Sequence, residues 1–341
     1  LEGGIQGDLR VVSDAEYPFA QAYFTGSKEH NIAMRQRAIA RGLRLNEYGL
    51  FKSTEETRDS KLRLDCKTEE DIFAALDLAY IPPELREARR EFQWAENGKL
   101  PKLIELSDIR GDLHMHTNWS DGRQSISEMV EAAKKLGRQY IAITDHSQVL
   151  TVANGLNPRR LAAHIEAIKE ANEQIEDFTI LSGLEVDILK DGSLDMDEDL
   201  LRACDWVVGS VHISQKMSKE AMTERILKAV ESGLVSTLGH PTGRILGGRG
   251  GYEYDMERVF IACAKNQVAV EINGSTGRLD FNAEHAAIAR AAGVKITLGS
   301  DAHSTHGLSV MPFALGQARR AGLEKADVLN CLSAKDLLKA V

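Results

Sequence analysis

The 341-residue sequence is poor in cysteine. It has four, Cys66, Cys204, Cys263 and Cys331, widely scattered and with no CxxC pair. A disulfide framework or a thiolate zinc site is therefore not expected; the four read as packing residues, and a reducing cytoplasm fits. No apolar run approaches the roughly 20 residues that span a bilayer. No basic segment followed by an apolar one opens the chain, so neither a secretory signal nor a membrane partner is expected. The first residue is Leu1 rather than Met, as expected of a fragment that has lost upstream sequence. Positive charge is not in excess either: the formal net charge is -9. That argues against non-specific coating of nucleic acid, but not against a DNA enzyme with a local basic surface. Bound divalent cations would also reverse the potential at an acidic site. There is no internal repeat beyond a β–α rhythm, no low-complexity segment, and no Ser-His-Asp or Cys-His arrangement.

What is present is a strong alternation from Ile109 onward. Seven short β-branched runs, "IRGDLHMH", "YIAITDH", "TILSGLEVDI", "WVVGSVH", "STLGHP", "VAVEIN" and "KITLGSDAH", are separated by amphipathic helical segments. Ser125 with Glu128 three residues later predicts a capping box. Asn157-Pro158 predicts another helix start, and Gly137, Gly233 and Gly293 predict helix ends. Residues 1–107 read differently. "GDLRVV" is expected to be a short strand, "SKEHNIAMRQRAIARGL" a basic helix, "NEYGLF" a turn and strand, and "TEEDIFAALDL" a capped helix. "IPPELREARREFQWAENGKLP" reads as a tether.

The chemistry-bearing residues fall toward the C-terminal ends of six of the seven runs, with Asp121 in the loop after the first. His114 and His116, two apart, project to the same side of a strand. Asp121, His146, Glu185, His212, His240, Asp301 and His303 complete a set of nine. Strand ends converge on one point in a closed barrel and not in an open sheet, and barrel active sites lie at that end. One metal takes four to six ligands, so nine imply two or three divalent ions. Nitrogen and oxygen donors without thiolate suit Mn, Zn or Fe, with Mg admitted. Such ions make hydroxide available near neutral pH and stabilise phosphoryl and leaving oxygens, which suits phosphate-ester hydrolysis. Glu185 and Asp301 are expected to be central to that catalysis. Asp145 is expected to orient a ligand, and Glu271 to point to the same mouth. His30, His164, His285 and His306 lie on helices or loops and read as ordinary structural or surface residues. In "GHPTGRILGGRGGYEY", Arg244 and Arg249 are candidates for clamping a phosphate, as is Arg278 in "NGSTGR".

From Asp108 on, the chain resembles a PHP (polymerase and histidinol phosphatase) domain, carrying HxH, SDG, TDH, GLEVD, SVH, GHP and SDAH in family order. The resemblance implies a distorted seven-stranded (β/α) barrel with a three-metal cluster. His114, His116, Glu185 and Asp301 would hold one ion. Glu185, His212 and His240 would hold a second, and Asp121, His146 and His303 a third. The N-terminal part is similar to the end of a family X DNA polymerase: "YFTGSKEHNIAMRQRA" resembles the palm–thumb boundary and "LRLNEYGLF" the thumb. That likeness implies roles for Asp8 as the third polymerase carboxylate, Tyr23, Phe24 and Gly26 at a nucleotide sugar, and Asn31 at the incoming base.

The expected organisation is a palm end and small α+β thumb-like domain over 1–80, a linker over 81–107 and the PHP barrel over 108–341. The DxD carboxylates and the helix-hairpin-helix domain of family X are not in the sequence. One carboxylate cannot hold the two metals of nucleotidyl transfer, so the chain is not expected to polymerise alone. The expected activity is 3′–5′ exonuclease, with 3′-phosphatase or abasic-site activity beside it. DNA 3′ ends or gapped DNA, and upstream polymerase domains of a longer parent, are the expected partners. The alternatives are a small-molecule phosphatase resembling histidinol phosphatase, and a metal-stiffened structural module.

Overall fold

The computed structural model describes residues 6–52 and 60–340. Two compact units divide the chain, Leu1–Pro101 and Lys102–Val341.

The first unit packs α1 (Tyr17–Thr25), α2 (Lys28–Ile39), a hairpin of β1 (Arg44–Asn46) and β2 (Gly49–Phe51), and α3 (Glu69–Ala75) around Phe19, Met34, Leu50, Ile72 and Phe73. Ser27 caps α2 by accepting from His30 N, and Thr68 and Asp71 form a capping box on α3. The expected strand at "GDLRVV" is absent: residues 7–12 have no regular structure. No strand among the described residues pairs with them, and a strand without a partner leaves its backbone donors and acceptors to water. The stretch read as a tether is folded as far as Pro101. It carries α4 (Glu91–Glu96) and buries Leu85, Arg86 and Glu91; Arg86 Nη1 lies 2.6 Å from Glu69 Oε1, and Glu91 Oε1 lies 3.0 Å from His30 Nδ1. The boundary between compact units is therefore at Pro101–Lys102 rather than across 81–107.

The second unit is built on seven parallel strands in sequence order: β3 (Gly111–Asp112), β4 (Tyr140–Ile143), β5 (Thr179–Asp187), β6 (Trp206–Ser210), β7 (Thr237–Leu238), β8 (Ala269–Asn273) and β9 (Ile296–Gly299). Between them run α5 (Ile126–Lys135), α6 (Pro158–Glu173), α7 (Glu198–Ala203), α8 (Lys219–Val230), α9 (Met256–Asn266) and α10 (Ala283–Ala291), with α11 (Met311–Arg320) and α12 (Ala334–Leu337) after β9. The predicted caps form: Ser125 and Glu128 make a reciprocal capping box, Asn157 accepts from Arg160 N, and Gly137, Gly233 and Gly293 adopt positive φ just past their helices.

The barrel is nearly closed. Its last seam is made by side chains and two backbone bonds rather than by a full ladder. Asn330, wholly buried, donates to Gly111 O and Leu298 O and accepts from Leu298 N. Asp112 Oδ1 accepts from Ser300 N at 3.1 Å. Higher up, Asp301 N donates to His114 O and His116 N to Ala302 O. Tyr140, Ala142, Leu181, Trp206, Val208 and Ala269 cluster together, with Leu329 and Leu337 beside them. Counting in steps of two from these positions leads up the strands to His146, Glu185, His212 and Glu271. The same alternation that packs the interior thus delivers polar groups to the mouth.

Candidate metal centre

Glu185 is the centre of the mouth. It is 1% exposed and has five histidine rings within ion-pair distance. Its Oε1 lies 2.9 Å from His240 Nε2 and 3.3 Å from His212 Nε2. Its Oε2 lies 2.9 Å from His146 Nδ1, 3.3 Å from His114 Nε2 and 3.6 Å from His116 Nε2. Asp301 Oδ1 lies 3.2 Å from His116 Nε2, and Asp121 Oδ2 lies 3.4 Å from His303 Nε2 and 3.7 Å from His146 Nε2. Three donor groups with mutual distances under 4.8 Å follow: His116, Asp121, His146 and His303; His114, His116 and Asp301; and His146, Glu185 and His212. All nine expected residues meet at this mouth. The grouping differs from the implied partition, because His116 and His146 each belong to two groups and His240 approaches through Glu185.

The donor set fits divalent cations. His114 Nε2, His146 Nδ1 and Glu185 Oε2 are buried and make no hydrogen bond, although the two nitrogens lie 3.3 Å and 2.9 Å from Glu185 Oε2. Buried polar atoms are ordinarily satisfied. Lone pairs that face a common space, instead of a donor, are satisfied by a cation.

The histidines are held from behind. Glu271 Oε1 lies 2.7 Å from His114 Nδ1, while its Oε2 accepts from His240 N at 2.7 Å. Asp187 accepts from His212 N and lies 2.9 Å from His212 Nδ1. A carboxylate on Nδ1 fixes the tautomer and turns Nε2 toward the centre. Gly299 permits the first of these contacts, because a Cβ there would come within 1.9 Å of Glu271 Oε1. His240 and Asp301 both adopt positive φ, 28° and 53°, an arrangement costing of order 1–3 kcal/mol each that the surrounding packing has to hold. Asp145 does not touch a ring of the nine. It accepts from Thr117 N and Oγ1 and from Ser120 N and Oγ, so it secures the loop between His116 and Asp121. His164, read as an ordinary structural residue, lies 3.1 Å behind this carboxylate.

Charge is shared unevenly across the cluster. Burial opposes ionisation of Glu185, yet His212, His114 and His146 hold it well below the usual carboxylate range. Asp301 is held low against burial by His114 and His116. Burial opposes the charge on His212 too, but Glu185 and Asp187 push its pKa up to about 10. Likewise Asp121 and Asp301 overcome burial at His303 and raise it to about 9. His116 goes the other way, down to about 4, through burial and the neighbouring His146 and His303.

Asp187 and Asn273 were missed by the sequence reading. Asn273 Nδ2 donates to Asp301 Oδ2 at 3.1 Å. Both carry the same signal, a polar residue two positions beyond an inward carboxylate on the same strand. Of the three arginines, Arg278 reaches the centre, with Nε 3.5 Å from Asp301 Oδ2. Arg244 donates to the carbonyls of Arg278 and Leu279, and Arg249 to that of Gly243, so these two brace loop backbone.

In the first unit, Asn31 Nδ2 donates to Tyr23 O and Gly26 O, closing the turn after α1. Tyr23 and Asn31 line a pocket with Phe19, Met34 and Arg35. Phe24 packs edge-on to Tyr23 and lies under Arg10, and Asp8 is exposed.

Histidines and carboxylates at the C-terminal ends of seven parallel strands define a metal-binding α/β barrel. The family described as PHP domain matches residues 112–275, and the one described as DNA polymerase beta thumb matches residues 20–87. The chain belongs to the PHP family, with a polymerase thumb preceding the barrel; PHP domains are metal-dependent. It is 42% identical to the DNA polymerase/3′-5′ exonuclease PolX of Bacillus subtilis over 97% of its own length, and spans 57% of that relative. It is 33% identical to a probable phosphatase of Thermoanaerobacter sp., covering 64% of this chain and 89% of that one. Among solved structures it resembles histidinol phosphate phosphatase from Lactococcus lactis, complexed with zinc, L-histidinol and phosphate. That match is 18% identical, covers 63% of this chain and 95% of the other, and has a TM-score of 0.48. No helix among the described residues is long and apolar enough to cross a membrane.

Proposed function

We propose that the barrel hydrolyses phosphoester bonds at DNA 3′ ends, as a 3′–5′ exonuclease within a longer family X polymerase. Two or three divalent ions, Mn, Zn or Fe with Mg admitted, would be held by His114, His116, Asp121, His146, Glu185, His212, His240, Asp301 and His303. Ions there supply Lewis acidity and a water acidified toward neutral pH. The protein's own part is positioning. Glu185 links the donor groups, Glu271 and Asp187 aim His114 and His212, and Asp145 holds the loop that carries Asp121. Arg278, beside Asp301 at the mouth, meets a non-bridging phosphate oxygen. Arg244 and Arg249 support that contact through the loop they brace. The observation that carries this reading is the five histidines around one buried carboxylate. The DNA substrate is supported by the thumb and by the PolX relative. In the first unit, Tyr23, Phe24, Gly26 and Asn31 serve nucleotide binding, and Asp8 serves the polymerase centre of the longer protein.

A second reading, small-molecule phosphatase, is favoured by the probable phosphatase matched over 89% of its length. The purified chain, given a 3′-recessed duplex or histidinol phosphate with Mn, Zn or Mg against EDTA, separates the two. Shortening of the duplex from its 3′ end, abolished by EDTA, is expected. Release of phosphate from histidinol phosphate alone would favour the second reading. Hydrolysis of neither with any metal would favour a structural role.

A further inference from the structure

The segment after His240 forms a tight turn at the mouth of the barrel. Gly248 N donates to Ile245 O at 3.1 Å, and Ile245 N donates to Arg249 O at 2.8 Å. Arg249 closes the base of the turn through Gly243 O at 2.9 Å. Leu246 N donates to Gly277 O, and Arg244 Nε to Arg278 O, tying the turn to the segment whose Arg278 lies beside Asp301. Gly243 and Gly247 have φ of +63° and +69°, which the turn needs and which side chains rarely tolerate. The turn is thus fixed at the rim by its backbone. Yet it presents two adjacent large aliphatic residues to solvent, Ile245 at 41% exposure and Leu246 at 46%.

A braced backbone with an apolar tip, tied to the segment that carries Arg278 at the mouth, suits insertion against stacked bases. Leu and Ile side chains unstack base steps when the backbone behind them is held and cations anchor the phosphates. Fixing the turn beforehand removes the ordering cost of doing so. We propose that Ile245 and Leu246 form a wedge that separates the terminal base pair of a DNA duplex, so that the 3′-terminal nucleotide reaches the metal mouth unpaired. This rests on the DNA reading above. It adds a specificity: without the wedge, paired 3′ ends become poor substrates and unpaired ends do not.

The test uses the whole chain with Mn bound, and a duplex whose 3′-terminal linkages are methylphosphonates that resist hydrolysis, labelled with 2-aminopurine at its 3′ terminus and with a dye at the far end. Anisotropy of the dye reads binding, and 2-aminopurine fluorescence reads unstacking. Wild type is expected to bind and raise the fluorescence about twofold or more, while Ile245→Ser with Leu246→Ser binds within about threefold of wild type and leaves the fluorescence low. Binding by wild type without a rise, or a rise retained by the double variant, would overturn the wedge and leave the DNA reading standing. No binding by wild type at low salt would overturn both. A double variant that changes the sedimentation of the chain, with the fluorescence rise intact, would assign the turn to contact between copies and also overturn the wedge.

Discussion

His30 in the first unit and His212 in the barrel each set Nδ1 against a buried carboxylate, at 3.0 Å from Glu91 and 2.9 Å from Asp187. The pairs look alike and do different things. Glu91 is finished by backbone, accepting from Ala88 N at 2.6 Å and Arg89 N at 2.7 Å, and the His30 ring stacks on Phe92. That arrangement locks α4 onto α2. His212 uses its pair only as a back support, because Nε2 points at Glu185, which is shared with four other histidines. A buried histidine–carboxylate pair is structural when local backbone completes it. It becomes ligand machinery when the second ring nitrogen is left to converge with others.

Substitutions on the two sides of this comparison should separate cleanly. Glu185→Gln removes the charge shared by five histidines. Hydrolysis is expected to fall by about 10³-fold or more, the equivalent of several kcal/mol of lost transition-state stabilisation. Single-turnover assays at saturating Mn, with circular dichroism to confirm folding, measure it. Glu91→Ala should do the reverse. It strands His30 and two backbone N–H groups, costing roughly 3 kcal/mol in urea unfolding of the first unit, with metal binding by the barrel unchanged. If Glu91→Ala abolished metal binding instead, the division between the two kinds of pair would fail.

The residues behind the rings come next in size. Asp187→Asn and Glu271→Gln leave every direct donor in place but free the orientation of His212 and His114. Affinity for Mn, read by isothermal titration, should weaken by about 10–100-fold. An unchanged affinity would mean that packing alone aims the rings.

The smallest effect is protonic. In the metal-free chain His212 and His303 titrate at about 10 and about 9, so both are protonated at pH 7. Ligands bind metal as neutral imidazole, so binding must release protons, and affinity should fall as pH is lowered. Titrations in buffers of different ionisation enthalpy should show more than one proton released at pH 7. The sign for stability is opposite. Protonation of these two rings stabilises the metal-free fold fully below their ordinary value near 6.5, and that contribution is lost as pH rises through 9 to 10.

Much of the barrel was legible because its periodicities are simple. Strand alternation located all seven strands, and strand ends located eight of the nine polar residues, with Asp121 in the loop after the first. The boxes and glycines of the helices behaved as local chemistry dictates. What escaped depends on contacts distant in sequence. Asn330 closes the barrel from beyond the last strand, and nothing near it in sequence announces a seam. Arg244 and Arg249 were read as free cations, but carbonyls of neighbouring turns take up their guanidinium groups. "GDLRVV" has strand composition without a strand to pair with among the described residues. The tether is rich in charge and proline, yet Arg86 and Glu91 find buried partners 17 and 61 residues away. Asp187 was the avoidable omission, since it stands two residues from Glu185 on the same face.

The account turns on one claim, that unsatisfied nitrogens and oxygens at the mouth converge on cations. Crystals of the chain grown with Mn and measured for anomalous scattering test it most directly. The account predicts peaks about 2.1 Å from Glu185 and from the ring nitrogens of His114, His146 and His212. A mouth without anomalous density at saturating Mn, in protein that still cleaves DNA, would contradict it.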